Sequence, residues 1–174
     1  TEEIFYIPEI SAAYGYFIQK YDSDRSVNME VFSPWMQGLN YRLVERSLFN
    51  LADSYSVMTV GALDVVSPYL LEDYSSQGPT NGPGGIATGG YLKPNISGYA
   101  NVSTVSYGEV SKFNGTSAAT PHVSGAAALV KSAYPAYTPS QTQSFLQSRA
   151  LDMGPDVGMD NIYGYGRLYL GTPP

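Results

Sequence analysis

The stretch that most restricts what this chain can fold into is Asn114-Gly115-Thr116-Ser117-Ala118-Ala119-Thr120-Pro121-His122-Val123-Ser124-Gly125, which runs on through Ala126, Ala127, Ala128, Leu129 and Val130. Asn-Gly is a strong turn signal, Thr116 suits a helix N-cap, and Pro121 is tolerable only if it falls near the first turn. The pattern therefore predicts a tight turn followed by a helix starting at about Ser117. Its continuation is apolar nearly all round, which predicts a buried helix. A hydroxyl at that helix start lies among backbone N–H groups with no intrahelical acceptor, at the positive end of the helix dipole. Such a place favours an anion developing beside it and suits a nucleophilic serine. Ala118 and Ala119 are small enough to let a substrate approach.

The text around this stretch divides in two. Residues 1–50 read as a β-rich accessory unit, with alternation at Val27, Met29 and Val31 and again at Leu39, Tyr41 and Leu43, separated by turn-formers. Antiparallel strands are expected over residues 4–48. From residue 51 the pattern changes: Val57-Met58-Thr59-Val60-Gly61-Ala62-Leu63 is a continuous apolar run, as in a buried parallel strand. Residues 75–90 are dense in Ser, Gly, Pro and Asn and read as a loop that builds no core. A second helix is expected near Pro139–Arg149, started by Pro139 and packed through Phe145 and Leu146. The fold class is thus α/β, with a parallel sheet packed against the Ser117 helix.

Several function classes fall away. A net charge of −6 with nine scattered Lys and Arg offers no phosphate-binding surface, so nucleic acid is excluded as a partner. No apolar run approaches the roughly 20 residues needed to span a bilayer. The absence of cysteine rules out a disulfide framework and a thiolate metal site. Asp64, Glu72 and Asp73 read as solvated acids, and Asp152, Asp156 and Asp160 lack the regular ligand spacing of a calcium loop. No metal ligand or cofactor is identified. The sixteen tyrosines read mainly as packing residues. The sequons at Asn95, Asn101 and Asn114 carry no weight on function.

Residues Gly115 to Gly125 closely resemble the active-site serine motif of the subtilisin-like serine proteases, the subtilases. Supporting matches follow in the family's order. Val57–Ala62 resembles a buried strand, Tyr74-Ser75-Ser76-Gln77-Gly78-Pro79-Thr80 the loop after it, Lys93-Pro94-Asn95-Ile96 the Lys-Pro-Asp-Ile segment, and Gly164-Tyr165-Gly166 a closing element. Asn95 in place of Asp, and Gly98-Tyr99-Ala100 in place of Ala-Pro-Gly, are departures expected to touch loop structure more than chemistry. The resemblance implies that residues 51–174 are the C-terminal part of a subtilase catalytic domain, with Ser117 as nucleophile and Asn114, Gly115 and Thr116 as its active-site loop. It also implies a polypeptide substrate and an extracellular or cell-surface location, and it leaves room for calcium in the full-length protein.

Subtilases order their triad Asp, His, Ser along the chain. The single histidine, His122, lies five positions after Ser117, about 500° and ~7.5 Å farther along a helix, and cannot take the serine proton. It reads as a packed, hydrogen-bonded helix residue. The family's second oxyanion donor is an Asn in a Gly-Asn context, which Asn28, Asn40 and Asn50 lack. The expectation is a segment without the triad Asp and His and the oxyanion Asn, all supplied by an N-terminal part of the same protease, and inactive alone. Residues 1–50 would then be an insertion between that Asn and the Val57 strand. Two other readings are weaker. A binding or structural module on a subtilase scaffold would have no reason to keep the serine motif intact. A lysine-assisted hydrolase would need a Ser-x-x-Lys pair, which Lys112 and Lys131 do not make with Ser117.

Overall fold

The apolar run beginning at Val57 becomes a strand only from Val60. A computed structural model describes residues 43–49, 51–82 and 89–171. In it Val60–Asp64 (β1) pairs in parallel with Ile96–Ala100 (β2), Val60 opposite Ile96 and Asp64 opposite Ala100. The ladder cannot begin earlier because Pro94 on the partner side has no N–H to give. Instead Thr59 is clasped by Asn95, donating its N–H to Oδ1 at 2.7 Å and accepting the Asn95 N–H at 2.8 Å. Val57, expected in the buried strand, is 41% exposed.

On the far side of β2 the chain returns in parallel at residues 166–168. Gly166 accepts the Ser97 N–H, and Leu168 donates to the Ser97 carbonyl. This makes β2 the inner strand of the described sheet and explains its burial, with Ile96, Ser97 and Ala100 all at 0% exposure and only Tyr99 partly exposed. Lys93, just before β2, is also buried: its Nζ donates to the Val57 carbonyl at 2.5 Å and to Asn95 Oδ1 at 2.8 Å. Burial lowers the Lys93 pKa, with the Asp53 charge opposing. The Asn95 departure therefore bears on a buried ammonium and not merely on loop shape.

From β2 the chain makes a short antiparallel pair, Val102–Thr104 (β3) and Gly108–Phe113 (β4), which delivers it to the Asn114–Gly115 turn. Helix α1 follows at Thr116–Ala133 and α2 at Pro139–Arg149, the latter where its proline start placed it. Along α1, Ala119, Val123, Ala126 and Val130 repeat at helical spacing and form one buried stripe. The stripe is graded by size. At its start Ala118 and Ala119 pack on Ala62 and Ala100 of the sheet; farther on, Val123, Ala126 and Val130 pack with Ile96, Leu168 and Leu146 of α2. Full burial of Leu146 is worth roughly 2–3 kcal/mol.

Four expectations change. α1 is not buried all round: Leu129 is 64% exposed and Gly125 and Ala128 are exposed, because the sheet and α2 both lie on one side of it. The loop following β1 does contribute to the interior, for Ser75 and Thr80 are buried and Ser75 Oγ accepts the Ala62 N–H at 3.0 Å. Asp64 and Glu72 are not simply solvated, since both accept from Asn101 Nδ2, at 3.1 and 2.7 Å. The antiparallel unit over 4–48 lies outside the described residues except for its end. There residues 43–48 are irregular with a turn at Glu45–Arg46 in place of a strand, and Arg46 and Ser47 give their N–H groups to the Gly78 and Gln77 carbonyls.

Candidate active site

Three local features bring Ser117 to the surface at the second position of α1. The first is Gly115, which caps the helix at φ 87°, a left-handed conformation in which a side chain would be strained. Gly115, not Thr116, is thus the N-cap: reversing the chain between β4 and α1 needs a positive φ, and the hydroxyl of Thr116 makes no cap bond. The Gly115 carbonyl accepts the N–H groups of Ala118 at 2.9 Å and Ala119 at 3.3 Å, closing the first turn. The second feature is Gly98 on β2. A Cβ there would stand 2.5 Å from the Ala119 carbonyl oxygen, so only glycine lets the helix start rest directly on the sheet. The third is the run of small residues. Ala118 and Ala119 are buried beneath, while Ser117 and Asn114 are exposed and Gly115 and Thr116 half-buried.

Pro121 is the sixth residue of α1, deeper than its expected place near the first turn. Lacking an N–H, it leaves the Ser117 carbonyl without its usual i+4 donor. The next carbonyl is better served, since Ala118 O lies 2.8 Å from His122 Nδ1 and so meets that ring's N–H. His122 also meets Tyr99 edge-on, with ring centroids 6.0 Å apart. The imidazole is therefore engaged with its own helix and with β2, as its spacing from Ser117 predicts, but it is exposed and not packed away.

One contact at the nucleophile turn has no signal in the sequence. Tyr74, 41 residues earlier, accepts the Gly115 N–H on its hydroxyl at 2.9 Å. Burial pushes the Tyr74 phenol above its ordinary pKa, the Gly115 N–H lowers it, and the Glu72 and Asp73 carboxylates raise it. The hydroxyl is thus neutral at physiological pH. A shared-loop match is visible in residues 74–80, but nothing in periodicity or spacing joins Tyr74 to Gly115.

No His, Cys, Asp or Glu cluster suited to a metal ion occurs among the described residues. The three aspartates weighed for calcium do not converge. Asp152 spends its two oxygens on the N–H groups of Gly154 and Gly158, which hold its carboxyl below the usual range, and Asp156 is exposed. Asp160 is buried, with Oδ1 accepting from Ile162 and Tyr163 and Oδ2 facing Gly154 so closely that a Cβ there would lie 1.7 Å away. These residues do not fit a calcium site.

The family model of the subtilases matches residues 43–166, well over half of the chain. The chain belongs to the subtilase family. Subtilisin DY of Bacillus licheniformis is 37% identical over 112 residues, covering 64% of this chain and 34% of its own length. The extracellular serine protease of Serratia marcescens is 34% identical over 90 residues, 48% of this chain and 8% of its own length. The chain thus spans about a third or less of these curated relatives. Among solved structures, the CspB protease of Clostridium perfringens shares the fold at a TM-score of 0.60 and 22% identity, over 74% of this subtilase chain and 28% of that one. The family match begins at residue 43, within the stretch read as an accessory unit.

Proposed function

We propose that this subtilase chain is the serine-bearing part of a serine endopeptidase, in which Ser117 attacks a peptide carbonyl. The observation that carries the reading is the exposed Ser117 hydroxyl on the first turn of α1, seated on the sheet through Gly98 and presented by a left-handed Gly115, in a chain of a protease family. The chemistry follows from the placement. A general base removes the hydroxyl proton as Oγ bonds to the carbonyl carbon, and the oxygen charge that develops is met by N–H groups of the helix start. Collapse expels the amine, which takes the proton from the base, and leaves an acyl-enzyme that water then hydrolyses.

The base, its orienting Asp and a side-chain oxyanion donor come from an N-terminal part of the same protease. His122 cannot serve as base, because it stands five positions after Ser117 on α1, about 500° and ~7.5 Å farther along the helix. The substrate is a polypeptide, and the location is extracellular or at the cell surface; the Serratia relative is an extracellular serine protease. Among the described residues no helix is long and apolar enough to cross a membrane. The test is hydrolysis of a denatured protein by the full-length protease. The wild type should cleave it, Ser117→Ala should not, and both should unfold at the same temperature; equal cleavage by the two would overturn the assignment.

A further inference from the structure

We propose that Tyr74 is a positioning residue for the nucleophile turn, its hydroxyl holding the Gly115 N–H so that Ser117 is presented in one fixed orientation. The inference rests on the endopeptidase reading and names a residue outside the serine motif that this reaction needs.

Gly115 is the hinge between β4 and α1, and a glycine at φ 87° has the widest conformational freedom of any residue. The helix supplies no side-chain cap of its own, and although the Gly115 carbonyl is tied to Ala118 and Ala119, the Gly115 N–H finds its partner outside the motif. Its N–H points instead to the Tyr74 hydroxyl at 2.9 Å. Ser117 lies two residues farther on, and a small rotation about Gly115 would swing its hydroxyl away from a bound carbonyl. Misplacing a reacting group by about 1 Å costs on the order of 100-fold in rate.

Tyr74 is suited to the task because it is itself anchored. Its neighbour Ser75 is buried and fixed to β1 through the Ala62 N–H, and Glu72 is fixed through its N–H to the Ala62 carbonyl at 3.0 Å and its carboxylate to Asn101 at 2.7 Å. The loop that carries the phenol is thereby tied on both sides to the central sheet against which α1 also rests. Sheet, loop and helix start form one frame, and the Tyr74 hydroxyl closes it. Because burial raises the phenol above its ordinary value, it stays neutral where an ordinary tyrosine begins to ionise.

Tyr74→Phe removes only the oxygen and keeps the ring. In the full-length protease, loss of one such hydrogen bond should lower kcat by about 3- to 10-fold, with KM within a factor of two. The same variant should exchange the Gly115 amide hydrogen faster than the wild type, and Tyr74→Ala should resemble Tyr74→Phe in kcat. If Tyr74→Phe matches the wild type in amide exchange, the contact does not hold the turn and the proposal falls. If exchange quickens but kcat is unchanged in an active protease, the contact exists without positioning Ser117, and the proposal again falls. A wild-type protein inert toward all peptides would overturn the endopeptidase reading together with this one, an outcome distinct from an active enzyme indifferent to Tyr74.

Discussion

The two helices of this subtilase chain start in opposite ways. α2 closes its own beginning: Thr138 accepts the Gln141 N–H at 3.3 Å, Gln141 Oε1 accepts the Thr138 N–H at 2.8 Å, and Pro139 at the first position has no N–H to satisfy. α1 begins from a glycine with no side-chain cap, at a φ of 87° where the usual Ser or Asp cap would be strained. The donors that α2 satisfies with its own side chains are met differently in α1, the Ala118 N–H by the Gly115 carbonyl and the Gly115 N–H by the Tyr74 hydroxyl, 41 residues away. A helix start serving stability consumes its N–H groups locally. The one that presents Ser117 is tied instead to a distant loop, through the Tyr74 hydroxyl.

The comparison breaks most visibly at Ser117. In the full-length protease Ser117→Ala should lower kcat by at least about 10³-fold while thermal unfolding stays unchanged, as measured by peptide hydrolysis and calorimetry. At Thr138 on α2 the reverse should hold, so a loss of kcat there comparable to that at Ser117 would erase the distinction between the two helix starts. The next largest effect is expected at Gly98. A Cβ there meets the Ala119 carbonyl at 2.5 Å, so Gly98→Ala should destabilise by about 1–3 kcal/mol. By lifting α1 from the sheet it should also cost activity, a combined loss readable from denaturant unfolding and initial rates.

Thr138→Ala should cost about 1 kcal/mol of stability and leave kcat and KM as they were. The smallest effect lies outside both helix starts, at Asn95. Lys93 titrates below the ordinary lysine value of 10.5 in the folded chain, so below that value the unfolded chain holds the extra proton. Stability therefore rises with pH between the folded pKa and 10.5. Asn95→Asp places a carboxylate on the buried ammonium, lifts its folded pKa and should flatten that rise in denaturant unfolding followed from neutral to alkaline pH.

How much of this was legible depended on whether the cause was local. The Pro139 start of α2, the turn at Asn114–Gly115 and the presence of a helix after it come from neighbouring residues and stand as read, although that helix is not buried all round. The start of β1 was misjudged because it is decided by Pro94, on a strand that β1 meets only in the fold. Thr116 lost the N-cap role to Gly115 because the chain reversal demands a positive φ, a requirement of tertiary geometry. Thr138 and Gln141 spell a capping box that could have been read three residues apart. The Tyr74–Gly115 and Lys93–Val57 bonds span 41 and 36 residues, and no periodic pattern reports them. Gly98 was noticed as a departure from the family pattern, but its reason, the approach of the Ala119 carbonyl, required the helix to be in place.

The most direct test of the central claim is fluorophosphonate labelling of the full-length protease, with the modified peptide mapped by mass spectrometry and the 174-residue chain treated in parallel. The account predicts one adduct on Ser117 in the full-length protein, lost in Ser117→Ala, and none on the shorter chain, whose hydroxyl has no base to take its proton. An adduct on another residue, no adduct in the full-length protein, or robust labelling of Ser117 in the 174-residue chain would contradict it.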